Sequence, residues 1–221
     1  MSQLIWGDVD NYIVESLLPH DRVLDGVLKA NHDNGLPPID VSPAQGKFLN
    51  LLVRMSGARL VLEIGTLGAY STIWMARALP KGGRLVTLEF EPLHATVARE
   101  NIAAAGLADT VEVRQGRAID TLPKIYAEGL YPFDFIFIDA DKPSNQAYLD
   151  WALRLSRPGT VIVCDNVIRG GAVTDALSGD RSVQGARAAF EAMGDQSRLS
   201  ATALQTVGSK GYDGFAIGIV S

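Results

Sequence analysis

Two apolar runs in this sequence end on acids. Residues 135–145 read FIFIDADKPSN, and residues 160–166 read TVIVCDN. A buried strand has no folding reason to stop on Asp139, Asp141 and Lys142, and a second one that stops on Asp165 and Asn166 points to a site. Parallel strands lie about 4.8 Å apart, so side chains on neighbouring tips can share one ion. Asp139, Asp165 and Asn166 would offer that ion two carboxylates and an amide oxygen. An all-oxygen set selects a hard cation, magnesium before calcium or manganese. His20, His32 and His94 fall on helical or turn segments and are expected to stay out of it, and the lone Cys164 is expected to be an inert core thiol. Lys142 follows Asp139 by three residues. There a neighbouring cation could lower its pKa enough for it to act as a base.

A second constellation lies upstream. LEIGTLGAYS, residues 62–71, reads as a strand, a glycine turn and a helix start. A dinucleotide loop would place glycines as G-x-G-x-x-G, where backbone must approach a pyrophosphate. Those three places are held here by Gly65, Leu67 and Tyr70. The looser turn, preceded by Glu63, suits a ligand that lacks phosphate and carries positive charge; S-adenosylmethionine, with its ammonium and sulfonium, is such a ligand. Glu89 ends the next strand, 24 residues past Gly65, and an acid there can take both hydroxyls of a ribose. NAD and S-adenosylmethionine share that need, so Glu89 alone does not choose between them.

These residues require strands to carry them. The spacing predicts strands over 59–64, 84–90, 110–115, 133–139 and 160–165, with helices over 71–79, 92–105, 118–128 and 144–155 between them. Apolar strands alternating with helices imply a parallel sheet covered on both faces, and in such sheets ligands bind beyond the carboxyl ends of the strands. A helix over 181–193 is followed by strand-like segments 199–207 and 214–220 joined by a six-residue loop, 208–213, which predicts an antiparallel hairpin. The first sixty residues read helical. Val9, Tyr12, Ile13, Ser16 and Leu17 share one face, and so do Val23, Val27 and Leu28. Ser42 with Pro43 and Gln45 reads as a capping box that opens a helix ending near Gly57. The expectation is a single α/β domain over 1–221: a helical cap, 1–57, and a Rossmann-like core, 58–221. That core would be an open seven-stranded sheet, mostly parallel with an antiparallel C-terminal edge, with helices on both faces.

The bulk properties agree. A chain of 221 residues, 47% hydrophobic, fits one domain with a full core. A formal charge of −5 argues against a nucleic-acid partner. No run approaches the roughly 20 apolar residues of a membrane span. The acidic N-terminus lacks the pattern of a signal peptide, so the expected location is cytoplasmic.

LEIGTLGAYST, TLEFEP, FIDADK and CDNVIRGGAV, in this order and spacing, resemble the magnesium-dependent O-methyltransferases, the group of catechol and caffeoyl-CoA O-methyltransferases and their small bacterial relatives. The likeness runs from about Val41 to the C-terminus. It implies that Asp139, Asp165 and Asn166 hold the metal and that Lys142 is the base. It also implies cofactor contacts from Val41, Glu63, Gly65, Thr66, Ser71, Glu89, Ala118 and Asp139, with Asp139 facing cofactor, metal and substrate together. A phenolic, catechol-like acceptor and a homodimer, with the N-terminal helices as its contact, are further implications. Two departures stand out. Ala69 replaces the second glycine of the usual Gly-Gly-Tyr-Ser, a change expected to be tolerated if its φ is negative, and Pro143 after the lysine is expected to re-aim Lys142. Three other readings stay open on residues alone: a phosphatase using Asp139 and Asp141, a nicotinamide dehydrogenase, and a non-catalytic S-adenosylmethionine-binding protein. For the acceptor, Arg169–Val173, the 210–213 loop and the N-terminal helices are candidate walls, and Arg169 and Lys210 are candidate contacts for an anionic tail.

Overall fold

A computed structural model describes residues 3–221; the first two positions of the expected helical cap lie outside the described residues. Three helices come first: α1 (Gln3–Leu17), α2 (Arg22–Asp33) and α3 (Pro43–Met55). Asp21 caps α2, its carboxylate accepting from the backbone N–H of Val23 at 3.0 Å and of Leu24 at 3.1 Å. Ser42 caps α3 by accepting from the Gln45 N–H at 3.2 Å, and Pro43 fills the first helical position, where no N–H is needed. The expected capping box stops there. The Gln45 side chain reaches away from Ser42 and donates to Asp165 at 2.6 Å.

The core alternates strand and helix: β1 (Leu60–Ile64), α4 (Tyr70–Ala76), β2 (Arg84–Glu89), α5 (Pro92–Ala104), β3 (Val111–Gln115), α6 (Ala118–Ala127), β4 (Phe133–Ile138), α7 (Asn145–Arg154), β5 (Ser156–Asp165), α8 (Arg181–Asp195), β6 (Leu199–Gly208) and β7 (Gly211–Val220). The seven strands lie in the order β3-β2-β1-β4-β5-β7-β6. The first five run parallel, and β7 runs antiparallel to both of its neighbours, β5 and β6. The reversed strand therefore lies inside the C-terminal hairpin and β6 forms the outer edge. The hairpin closes over Ser209 and Lys210 alone, with Gly208 paired to Gly211, tighter than a six-residue loop. β5 starts four residues earlier than its apolar run, because the stretch through Pro158 and Gly159 pairs through an irregular register between Phe133 and Phe135.

Both faces of the sheet are buried, which is why its central strands read as unbroken apolar runs. Leu62, Ile64, Ile136, Ile138 and Ile162 pack on one side with α6 and α7, while Val61, Phe135, Phe137 and Val163 pack on the other with α3 and α4. The chain builds outward from β1 through β2 to β3, then returns to the other side of β1 with β4. That reversal opens a crevice beyond the carboxyl ends of β1 and β4, where such sheets take ligands. No helix among the described residues is long and apolar enough to cross a membrane.

Candidate active site

At the β1/β4 crevice two backbones nearly touch. Gly65 has φ +98°, and a Cβ there would come within 2.0 Å of the Asp139 carbonyl oxygen. The Asp139 N–H donates to the Ile64 carbonyl at 2.8 Å. Only glycine permits this approach, so the glycine turn directly locates Asp139.

Glu63, one residue earlier, is fully buried. Its carboxylate accepts from the hydroxyls of Ser71 at 2.6 Å, Thr72 at 2.5 Å and Thr87 at 2.7 Å. Burial raises its pKa to about 7, against the lowering by those three hydrogen bonds. Ser71 lines the cavity beyond the strand tips, and Glu63 lies buried next to it. Its carboxylate positions Ser71, Thr72 and Thr87. Ala69 corrects an expectation: its φ is +70°, left-handed, at the position just before α4. The glycine that it replaces would adopt this without strain.

Glu89, at the tip of β2, takes the N–H groups of Thr66 at 3.1 Å and Leu67 at 2.8 Å on one oxygen and that of Glu91 at 2.9 Å on the other. It stitches the glycine turn to β2 while still lining the cavity, with lone pairs left for hydroxyl donors. His94, expected to lie away from the strand tips, lines the same wall, its Nδ1 3.7 Å from Glu89.

Across the crevice, Lys142 Nζ donates to Asp139 Oδ1 at 2.8 Å. Lys142 is held by α8: a Cβ on Gly185 would come within 1.9 Å of the Lys142 carbonyl oxygen. Burial pushes the lysine pKa down, but the Asp139 carboxylate, with help from Asp165, pushes it further up, so it lies above the ordinary value. In the protein alone Lys142 is therefore an ammonium. Asp165 is buried at the tip of β5, and burial together with the Asp139 charge raises its pKa to about 7. Gln45 and the Asn166 N–H, at 2.6 Å and 2.8 Å, partly offset this. Asn166 lines the cavity from a left-handed turn, φ +53°, which asparagine tolerates better than most residues. Among the described residues no group of three or more His, Cys, Asp or Glu side chains gathers as an ion site. The candidate set is instead two carboxylates and one amide. The Asp139 charge raises the cost of ionising Asp165, and with hard oxygen donors throughout the set fits a divalent cation.

The strand tips and the glycine turn border one cavity of about 730 Å³, which the buried Glu63 and Asp165 do not line. Val41, Gly65, Thr66, Ser71, Glu89, Ala118 and Asp139 line it, as do Asn166, Lys142 and Arg169. The expected walls are only partly right. Residues 39–41, after α2, form one side, but the N-terminal helices and the 210–213 turn do not reach it. Lys210 instead donates to the Pro38 carbonyl at 2.9 Å and so braces that wall from behind. Cys164 is buried, and burial pushes its thiol up to about 12, as an inert core residue requires.

Residues 15–208 match the family model described as O-methyltransferase. The chain belongs to that family. A catechol O-methyltransferase of Niastella koreensis is 54% identical over 220 residues, covering 100% of each chain. The crystal structure of an O-methyltransferase from Bacillus cereus in complex with SAH superposes with a TM-score of 0.99 at 57% identity, covering 100% of both chains. The O-methyltransferase TomG from Streptomyces achromogenes, in complex with SAM, gives 0.96 at 49% identity, covering 100% of this chain and 99% of that one.

In this O-methyltransferase the residues that sequence reasoning missed share one property. Gln45, His94 and Tyr148 sit on helices, where only side-chain direction brings them to the site. Tyr148, whose hydroxyl donates to Asp141, lies on α7 among residues that read as ordinary packing. For Gln45 the capping box would have its side chain accept from the Ser42 N–H, whereas its amide donates to Asp165.

Proposed function

We propose that this O-methyltransferase moves the methyl group of S-adenosylmethionine to one hydroxyl of an acceptor carrying two neighbouring hydroxyls on an aromatic ring. The observation that carries the reading is the place of Asp139. Its backbone packs on Gly65 of the glycine turn while its side chain meets Lys142, on the same cavity as Asn166. The cofactor half and the oxygen-rich half of the site thus meet at one residue. The SAH and SAM bound in the Bacillus and Streptomyces structures, and the catechol named for the Niastella relative, support it.

In this reading Val41, Gly65, Thr66, Ser71, Glu89, Ala118 and Asp139 contact the cofactor, and Glu63 acts through Ser71. Asp139, Asp165 and Asn166 would hold magnesium or another hard divalent cation. When bound, such a cation supplies positive charge that favours the ionised form of a nearby phenol. Lys142, an ammonium in the protein alone, would first release its proton to solvent, which positive charge nearby favours; its neutral Nζ, oriented by Asp139, then accepts the hydroxyl proton. The phenolic oxygen then attacks the methyl carbon, the C–O bond forming as the C–S bond breaks, and S-adenosylhomocysteine leaves. Holding the two reactants in line is worth up to about 7–11 kcal/mol of the barrier. A homodimer belongs to the proposal as well: α1 leaves Leu4, Ile5, Val9 and Tyr12 exposed, a face that a second copy would cover.

The test is incubation with S-adenosylmethionine and a panel of catechols, with magnesium and with EDTA, reading the acceptor for one added methylene by mass. Methylated product with magnesium and none with EDTA is expected. Product that persists in EDTA would detach Asp139, Asp165 and Asn166 from a metal role.

A further inference from the structure

Arg169 holds a backbone conformation that its own Cβ disfavours. Its φ is +55°, and Gly170 and Gly171 follow at +63° and +92°. Glycine would make this turn without strain, so the arginine side chain must serve something other than the turn. The turn itself is held by Asp213, whose Oδ1 accepts the backbone N–H groups of Ile168 at 2.9 Å, Arg169 at 3.0 Å and Gly214 at 3.0 Å. Those bonds do not depend on the residue type at 169. The guanidinium is left under-used. Its ion-pair partner, Asp213 Oδ2, stands 3.8 Å from Nη1, beyond hydrogen-bonding reach, and its Nε–H is buried without an acceptor. A buried donor left unmade is unfavourable enough to call for a partner.

The side chain lines the same cavity as Asn166 and Lys142, three residues past Asn166, on the acceptor side. Of the other cations nearby, Lys142 is committed to Asp139 at 2.8 Å and Lys210 to the Pro38 carbonyl at 2.9 Å, while Arg117 lines the cavity beside Ala118 of the cofactor set. Asp40 and Asp141 also face the cavity and would repel an anion, so an anionic acceptor needs a cation such as Arg169 to meet it.

We propose that Arg169 sets acceptor specificity by receiving a carboxylate carried on the acceptor's ring or on a short side arm. The preferred substrate class is then a dihydroxylated aromatic acid rather than a neutral catechol. This rests on the reading that the cavity methylates catechol-like acceptors. The planar fork of a guanidinium matches a carboxylate through two parallel N–H bonds, which the Nη groups at the partly exposed end of the side chain would supply.

The experiment compares 3,4-dihydroxybenzoate with 3,4-dihydroxybenzamide, its neutral near-isostere, using S-adenosylmethionine and magnesium with wild type, Arg169→Gly and Arg169→Lys. Arg169→Gly is the decisive variant, because glycine relieves the left-handed φ and so does not put the fold at risk. Wild type should favour the acid in kcat/KM by about tenfold or more, the scale of one charge-assisted hydrogen bond. In Arg169→Gly the acid-to-amide ratio should fall toward one, mostly through KM for the acid, and Arg169→Lys should keep part of it. A wild type that does not favour the acid, or an Arg169→Gly ratio equal to that of wild type, overturns the role of Arg169 while product from either acceptor upholds the methylation reading. No product from either acceptor with wild type overturns both.

Discussion

Gln45 Nε2 donates to Asp165 Oδ2 at 2.6 Å, tying the first turn of α3 to the tip of β5 across 120 residues of chain. Asp165 has one oxygen occupied by the Asn166 N–H and the other by this amide, so its carboxylate is held in a single orientation. Groups that orient a metal-binding carboxylate commonly weaken ion affinity by about 10–100-fold when removed. On the proposed reading of Asp165 as a metal ligand, Gln45→Leu, similar in size but unable to donate, should bind Mn²⁺ at least about tenfold more weakly in calorimetric titrations, while affinity for S-adenosylhomocysteine is retained. Equal Mn²⁺ affinity would reduce Gln45 to a docking contact for α3.

Ala69 and Ala98 are both fully buried, but Ala69 is left-handed with φ +70° and Ala98 lies inside α5. Removing either methyl forfeits about 0.8 kcal/mol of burial. In α5 glycine adds a further cost of about 0.5–1 kcal/mol in backbone entropy. At position 69 glycine instead relieves about 1–2 kcal/mol of steric conflict. Urea melts should show Ala98→Gly destabilised by about 1.5 kcal/mol and Ala69→Gly as stable as wild type or more so. Equal losses would mean that the left-handed alanine is not strained.

The fold could be read from sequence because its strands are buried on both faces and therefore stand out as apolar runs, each closed by a glycine or an acid. The same pattern puts Asp139, Asp165, Asn166, Glu89 and Gly65 at strand tips. Direction was harder to read than position. Glu63 sits at a strand tip, yet its side chain turns inward to three hydroxyls, and nothing in LEIG distinguishes inward from outward. The reach of Gln45 depends on a contact 120 residues away, and the sign of φ at Ala69 is likewise not encoded by local spacing.

Lys142 carries a proton-accepting role in the proposed reaction, while its position beside Asp139 at 2.8 Å holds it charged in the protein alone. Two substitutions separate these roles. Arginine keeps the positive charge but does not deprotonate in proteins. If Lys142 accepts the proton, Lys142→Arg should lose turnover as Lys142→Met does, by about 10²–10⁴-fold for the loss of general base catalysis. Near-normal kcat in Lys142→Arg would assign the residue an electrostatic role only. Measuring S-adenosylhomocysteine affinity for both variants checks that the cofactor site has survived.

Glu63 predicts a pH dependence of stability. Burial raises its pKa from 4.5 to about 7 in the folded chain, despite three hydroxyl donors. The folded state therefore holds this proton more tightly than the unfolded state. The contribution of Glu63 is fully present below its unfolded pKa of 4.5 and is lost as pH rises through about 7. The size of the effect is about 3 kcal/mol. Glu63→Gln keeps the shape and a carbonyl acceptor but does not titrate. Ligand-free wild type should thus be close to Glu63→Gln near about pH 5 and less stable than it near about pH 8, while Asp165 titrates in both proteins and cancels. Urea melts at the two pH values measure the gap. A gap that does not change would mean that Glu63 is already ionised at the lower pH, with its hydroxyl donors outweighing its burial.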